Sequence, residues 1–336
     1  MLARWLQRQW FEQRRLSPAL WLLLPLLLPL HALYCRVSSR RRQQTQPQRL
    51  PVPVVVVGNI TVGGAGKTPL TLWLARALTA QGWRPGIVSR GYGRQGEAPA
   101  AVNPENSAKS VGDEPLLLVR RSGVPVWVGQ DRAAAGRALL AANPEVNVIL
   151  CDDGLQHYRL GRDVELAVFD CRGAGNGWRL PLGPLREPLS RLREVDAVIL
   201  NGPVDLPLPA GVPVFDMRLQ AGEFYALGDA SRRCAAPALA GKRLHALAGI
   251  GDPGRFFRTL EALGLRFEAH PFPDHHDYSA ADLAFAGDGV LLMTEKDAVK
   301  CAGLTTGEAW VLPVDAELTP ALIELIVEKL RGRTAA

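Results

Sequence analysis

Cysteine is scarce and unpatterned in this chain of 336 residues: five occur, at positions 35, 151, 171, 234 and 301. None forms a close pair or a ligand-spaced set. That excludes a disulfide framework and a structural zinc site, and fits reduced cytosolic thiols. Lysine is also rare, six residues beside 33 arginines, so a lysine inside a motif is informative. Acid is nearly missing from residues 1–50, where Glu12 stands against nine arginines, a net of +8. Residues 51–336 hold the other 30 basic and 32 acidic side chains, a net of −2 within a chain total of +6. A slightly acidic bulk offers no basic groove, so no nucleic-acid partner is expected. With 47% apolar residues the chain has ample core, and its length favours two domains.

From Ala19 to Cys35 seventeen residues carry no formal charge. Arg4, Arg8, Arg14 and Arg15 precede the run; Arg36, Arg40, Arg41, Arg42 and Arg49 follow it. A spanning helix takes about 20 apolar residues, so the run is at the short limit. Pro25 and Pro29 each remove a helix hydrogen bond that lipid cannot replace. No small-x-small cleavage site follows, which disfavours a signal peptide. The basic flanks suit phosphate head groups better than a buried core. Two modes of attachment stay open, a kinked single span or a helix lying in the interface. Residues 38–53 read as a polar tether, so 1–50 is expected to be a membrane-associated helix and basic tether.

Val52 to Val57 is nearly all valine, a buried parallel-type strand. It runs into Gly58-Asn59-Ile60-Thr61-Val62-Gly63-Gly64-Ala65-Gly66-Lys67-Thr68-Pro69 and then a helical pattern. Strand, glycine-rich loop, Lys-Thr and helix is the context that gives a phosphate loop its meaning. Backbone N–H groups converge on phosphate oxygens, Lys67 neutralises the β- and γ-phosphates, and the Thr68 hydroxyl ligates Mg²⁺. Thr61 stands where the strict pattern has glycine. Further strands at 86–89, 124–128, 146–151, 167–169 and 197–200 alternate with helices, among them Asp131–Ala142. The predicted fold is α/β, a P-loop-like domain over 51–213 with a mostly parallel sheet and ligands at the strand carboxyl ends.

At one such end the strand 148–151 runs into Asp152-Asp153-Gly154-Leu155-Gln156-His157, a Walker B arrangement. Adjacent aspartates point opposite ways on a continuing pleat, so they need not serve one ion. In Val111-Gly112-Asp113-Glu114-Pro115 the proline places Asp113 in a loop or at a helix start, where spacing alone makes it a cap rather than a base. Arg90-Gly91-Tyr92-Gly93-Arg94 is a basic loop, suited to an acceptor phosphate or simply solvated. Phe272-Pro273-Asp274-His275-His276-Asp277 reads equally as a proton-transfer pair and as a helix-capping loop. A hairpin at 214–230 is expected to mark the boundary of a smaller α/β domain over 231–336 that closes over the site.

Taken together, G-N-I-T-V-G-G-A-G-K-T-P, S-R-G-Y-G-R, V-G-D-E-P, D-D-G-L-Q-H, P-L-R-E-P and F-P-D-H-H resemble the tetraacyldisaccharide 4′-kinase family over almost the whole chain. The resemblance implies transfer of the ATP γ-phosphate to the 4′-hydroxyl of tetraacyldisaccharide 1-phosphate, giving lipid IVA, at the cytosolic face of a Gram-negative inner membrane. It implies nucleotide contacts from Thr61 through Thr68, Asp113 as catalytic base with His275 as its partner, and Mg²⁺ near Thr68, Asp152, Asp153, Gln156 and Glu187. Arg90, Tyr92 and Arg94 are substrate candidates. The expected partners are the membrane-embedded glycolipid and an anionic phospholipid surface, with no obligate protein partner. An alternative is a membrane-recruited P-loop ATPase of the partitioning or metal-insertion type. Those loops carry an additional early lysine where this chain has Val62.

Overall fold

The computed structural model describes residues 2–12, 15–94, 96–305 and 307–334; Arg14 and the side chain of Arg4, counted above among the flanking arginines, lie outside the described set. Nine strands form the larger sheet. They are β1 (Val54–Gly58), β2 (Pro85–Ser89), β3 (Ala100–Val102), β4 (Val126–Val128), β5 (Val148–Cys151), β6 (Val164–Asp170), β7 (Ala197–Asn201), β8 (Val214–Ala221) and, from the end of the chain, β15 (Val314–Glu317). Their order is β15-β8-β7-β6-β1-β5-β2-β4-β3, parallel except for the two edge strands β15 and β3. β1 lies at the centre, between β5 and β6, all five of its residues buried. That burial is why its sequence is a continuous apolar run rather than an alternation.

The smaller sheet runs β10-β9-β14-β13-β11-β12. Its members are β9 (Phe224–Ala226), β10 (Asp229–Cys234), β11 (Leu244–Ala248), β12 (Glu268–Pro271), β13 (Val290–Thr294) and β14 (Ala309–Leu312). Helices α1 (Leu2–Phe11), α2 (Pro18–Leu22) and α3 (Leu24–Gln44) precede the sheets. Across the larger sheet lie α4 (Lys67–Ala80), α5 (Ala108–Val111), α6 (Asp113–Ser122) and α7 (Arg132–Ala142). The smaller domain carries α8 (Pro253–Ala262), α9 (Ala280–Leu283) and α10 (Glu295–Cys301), and α11 (Pro320–Thr334) closes the chain.

The domain limits differ from expectation at both crossings. β8 and β9 do not pair as a hairpin: β8 extends the larger sheet beside β7, and β9 joins the smaller one. The hairpin is β9–β10. The second crossing is at Pro313, which separates β14 from β15 and cannot donate to either ladder. Beyond it, Leu322, Ile323, Ile326, Val327 and Leu330 of α11 are buried in the core on the α4 side of the larger sheet. The smaller domain is therefore an insertion between β8 and β15, not the whole of 231–336.

Of the two modes of attachment left open, the spanning helix finds no support. No helix among the described residues is long and apolar enough to cross a membrane. The apolar run breaks between α2 and α3, and α3 carries Arg36, Arg40, Arg41 and Arg42 on the same rod. Residues 38–44, read as tether, are helical. One face of α3 lies against the larger domain, with His31 bonded to the Arg179 carbonyl at 3.0 Å and the Tyr34 hydroxyl donating to the Arg186 carbonyl at 3.1 Å. Its other face bares Leu26, Leu30, Leu33 and Val37, spaced four, three and four residues apart.

Candidate active site

The site assembles at the carboxyl edge of the larger sheet. After β1 the chain turns through 59–66, and α4 starts at Lys67 with Gly66 at φ +98° as its first cap. Lys67 Nζ lies 3.1 Å from Asn59 Oδ1 and 3.4 Å from Asp153 Oδ1. Asn59 also donates to the Gly63 carbonyl at 3.0 Å, bracing the loop across its mouth. Thr61 pairs with Leu185 in a short bridge and has no left-handed φ, so glycine is unnecessary there. Val62 to Ala65 form the turn of the loop, and Thr68 is the second residue of α4. Arg172, gripped by Asp170, donates to the Gly64 carbonyl at 2.7 Å.

β5 delivers the two aspartates, and they part at once. Asp152 is 1% exposed, accepts from Thr71 Oγ1 at 3.3 Å through Oδ1, and has no donor at Oδ2. Burial, then the charges of Glu114 and Asp153, raise its pKa to about 7 against the pull of Lys67 and Thr71. Asp153 turns away at φ +49° to meet Lys67 and Arg186. Burial works to raise its pKa, but those two cations outweigh it and hold it at about 2. Gln156 donates to Glu187 at 2.6 Å and to the Asn59 carbonyl at 3.2 Å, so P-L-R-E and D-D-G-L-Q-H close on the same loop. Gln156 Oε1 and Glu187 Oε2 are buried without a donor, as Asp152 Oδ2 is. Glu187 Oε2 also faces the Arg191 guanidinium, its Nε 3.4 Å away, while Asp152 Oδ2 is the carboxylate oxygen best suited to a hard cation.

Asp113 opens α6 and is 6% exposed. It is not the cap that spacing favoured: Gly112 occupies that place, at φ +95°. A Cβ on Gly112 would stand 3.0 Å from the Tyr92 carbonyl, so V-G-D-E-P and S-R-G-Y-G-R pack backbone to backbone. Asp113 Oδ1 accepts from the Glu114 N–H at 2.9 Å, and Oδ2 faces His275 Nδ1 at 3.0 Å. Burial raises the Asp113 pKa, yet the His275 hydrogen bond and the charges of Lys296 and His275 bring it below the usual carboxylate value. His275 is raised, first by the Asp113 bond and against burial. It sits at φ +58°, a left-handed backbone that is unusual outside glycine. Of the basic loop, Tyr92 reaches the pair, its ring 4.9 Å from that of His275. Arg94 folds back onto the Ala98 carbonyl of its own loop, and Arg90 is exposed.

Several participants went unread in the sequence. Asn59 and Arg186 stand inside quoted motifs, beside the residues that drew attention. Lys296, one of only six lysines, stands in the first turn of α10 and was available from that scarcity alone. The G-I-G-D-P-G turn, weak as a nucleotide motif, lies against the phosphate loop: a Cβ on Gly251 would be 3.5 Å from Gly64 N. Arg255 behind it donates to Asn201 at 2.7 Å, and Asn201 donates to the Ala65 carbonyl at 3.0 Å. On β11 and β12 of the smaller sheet, His245, Glu268 and His270 bring two ring nitrogens and a carboxylate together. A metal at His245 Nδ1 would leave its Nε2–H buried without an acceptor, unlike the supported histidines of real metal sites.

A central strand feeding a Lys-Thr phosphate loop, with a buried carboxylate–histidine pair beside it, defines a P-loop kinase. The family model described as Tetraacyldisaccharide-1-P 4′-kinase matches residues 23–331. The chain belongs to that family. The tetraacyldisaccharide 4′-kinase of Dechloromonas aromatica is 68% identical over the full length of both chains. The enzyme of that name from Pseudomonas paraeruginosa is 52% identical, covering 89% of this chain and 91% of its own. Among solved structures, the "apo" form of LpxK from Aquifex aeolicus in complex with ATP superposes with a TM-score of 0.78 at 31% identity, over 90% of this chain and 98% of that one.

Proposed function

We propose that the chain transfers the γ-phosphate of ATP to the 4′-hydroxyl of tetraacyldisaccharide 1-phosphate, giving lipid IVA, at the cytosolic face of the inner membrane. The observation that carries the reading is the Asp113–His275 pair, 3.0 Å apart, assembled from two domains beside the phosphate loop. A sugar hydroxyl is a poor nucleophile, and a carboxylate that takes its proton as the bond forms is the required device. Asp113 is held ionised through the neutral range, and His275 orients it. Residues 61–68 wrap the phosphates, with Lys67 on the β/γ side. Asp152, whose Oδ2 has no donor, would hold Mg²⁺ with Asp153 and the Thr68 hydroxyl, and Gln156 and Glu187, bonded to each other, complete the set proposed for the ion. When bound, that ion neutralises charge building on the β- and γ-phosphates. Tyr92, against His275, supports an acceptor contact from this loop; Arg90 is exposed beside it, and Arg94 would have to leave the Ala98 carbonyl to join them.

The test is incubation with γ-labelled ATP and tetraacyldisaccharide 1-phosphate in vesicles. Label entering the glycolipid is expected. ATP hydrolysis with no label in lipid would instead favour the partitioning-type ATPases.

A tetra-acylated acceptor stays at the bilayer, so the enzyme docks there. What supports interfacial docking is the bare apolar face of α2 and α3, where Leu22, Leu26, Leu30 and Leu33 are 85%, 67%, 51% and 59% exposed, flanked by arginines. Changing these four leucines to glutamine is expected to abolish co-sedimentation with anionic vesicles. Activity on a detergent-dispersed substrate should remain. Full vesicle binding by the variant would point to another docking surface.

A further inference from the structure

We propose that Lys296 is a positioning residue for phosphoryl transfer: its ammonium, seated between Glu114 and Asp274, fixes His275 as the uncharged Nδ1–H tautomer that faces Asp113. The inference rests on the kinase reading above and adds to it the group that sets the state of the base's partner. Lys296 Nζ lies 2.9 Å from Glu114 Oε1, 3.6 Å from Asp274 Oδ1 and 3.4 Å from His275 Nε2. An ammonium has donors only, so the ring nitrogen it faces must be the one with the lone pair. The ring proton then lies on Nδ1, directed at Asp113 Oδ2 3.0 Å away.

The placement runs against local preference. Lys296 is in the first turn of α10, where the helix dipole favours acids, and its neighbours Glu295 and Asp297 are both buried acids. Asp297 anchors the turn, accepting from Tyr278, Gly249 and Thr294. That anchoring aims Lys296 across the domain boundary. Burial works against the Lys296 charge, but Glu114, Asp274 and Asp113 more than restore it, so it stays protonated.

The groups facing His275 come from every side. Tyr92 covers the ring, Asp113 approaches from α6, Asp274 precedes it, and Lys296, held by Glu114, approaches from α10; Lys300, further along α10, acts on Asp113. Asp113 and Asp274 draw a proton onto the imidazole, and Lys296 opposes it. The sign follows directly. A doubly protonated His275 would grip Asp113 as an ion pair and weaken it as a base, so turnover falls as pH drops through the His275 titration. Removing Lys296 moves that acid limb to higher pH.

The experiment combines ring ¹⁵N NMR of the full chain with kinetics. In the unsubstituted protein at pH 8, His275 is expected to show protonated Nδ1 and bare Nε2. In Lys296→Met the Nε2–H form should appear and the His275 midpoint should rise by about one unit. kcat should fall roughly ten- to a hundredfold with KM for ATP nearly unchanged, and Lys296→Arg should restore much of it. An unchanged tautomer and acid limb in Lys296→Met would reduce Lys296 to a link between domains and overturn the proposal. So would an Nε2–H ring in the unsubstituted protein, a result that needs no folded variant. The NMR readout uses no lipid, so it stands or falls separately from the assignment of the substrate.

Discussion

Lys67→Ala is expected to lower kcat by about 10³-fold or more. Its ammonium is placed by Asn59 at 3.1 Å and Asp153 at 3.4 Å, with only 11% of the side chain exposed. The cation is therefore fixed before nucleotide arrives, and no reorganisation is needed when charge builds on the transferring phosphoryl group. Alanine removes that charge and leaves Asp153 with Arg186 alone. Arginine should not rescue, because its planar fork cannot occupy the position of a compact point charge. The measurement is single-turnover transfer from labelled ATP. Normal turnover in Lys67→Ala would sink the phosphate-loop assignment.

Asp113→Ala should cut kcat by about 10²- to 10⁴-fold while ATP affinity changes little. Asp113 touches none of residues 61–68 in the hydrogen-bond network; its partners are His275 and the Glu114 N–H. Asp113→Asn keeps the shape and loses the proton acceptor, so it should fall nearly as far. A loss confined to ATP affinity would make Asp113 a nucleotide-binding residue instead.

Much of this was legible because it is local. The all-valine β1, the glycine loop and the start of α4 follow from a handful of consecutive residues, and the structure has them in place. Asp113 was misread as a cap because its partner is 162 residues away, on the other domain. Spacing within V-G-D-E-P cannot announce such a contact; the family resemblance could. The crossings between β8 and β9 and at Pro313 escaped for a related reason. Neither β8 nor β14 carries a local mark of the sheet it joins, which is decided by neighbours distant in sequence. The N-terminal run was correctly seen as apolar, but only the fold reveals that α3 leans on the larger domain with one face and leaves the other bare.

Synthesis on the ribosome meets the insertion in a particular order. The core around α4 needs α11, and Arg333 returns to the carbonyls of Leu50 and Val52, up to 283 residues earlier in the chain. The nucleotide domain thus begins first and finishes last, after the lobe bearing His275 and Lys296 has emerged. A nascent chain cannot complete its phosphate loop's scaffold while lacking the partner of its base. A chain cut short in the insertion before His275 loses both.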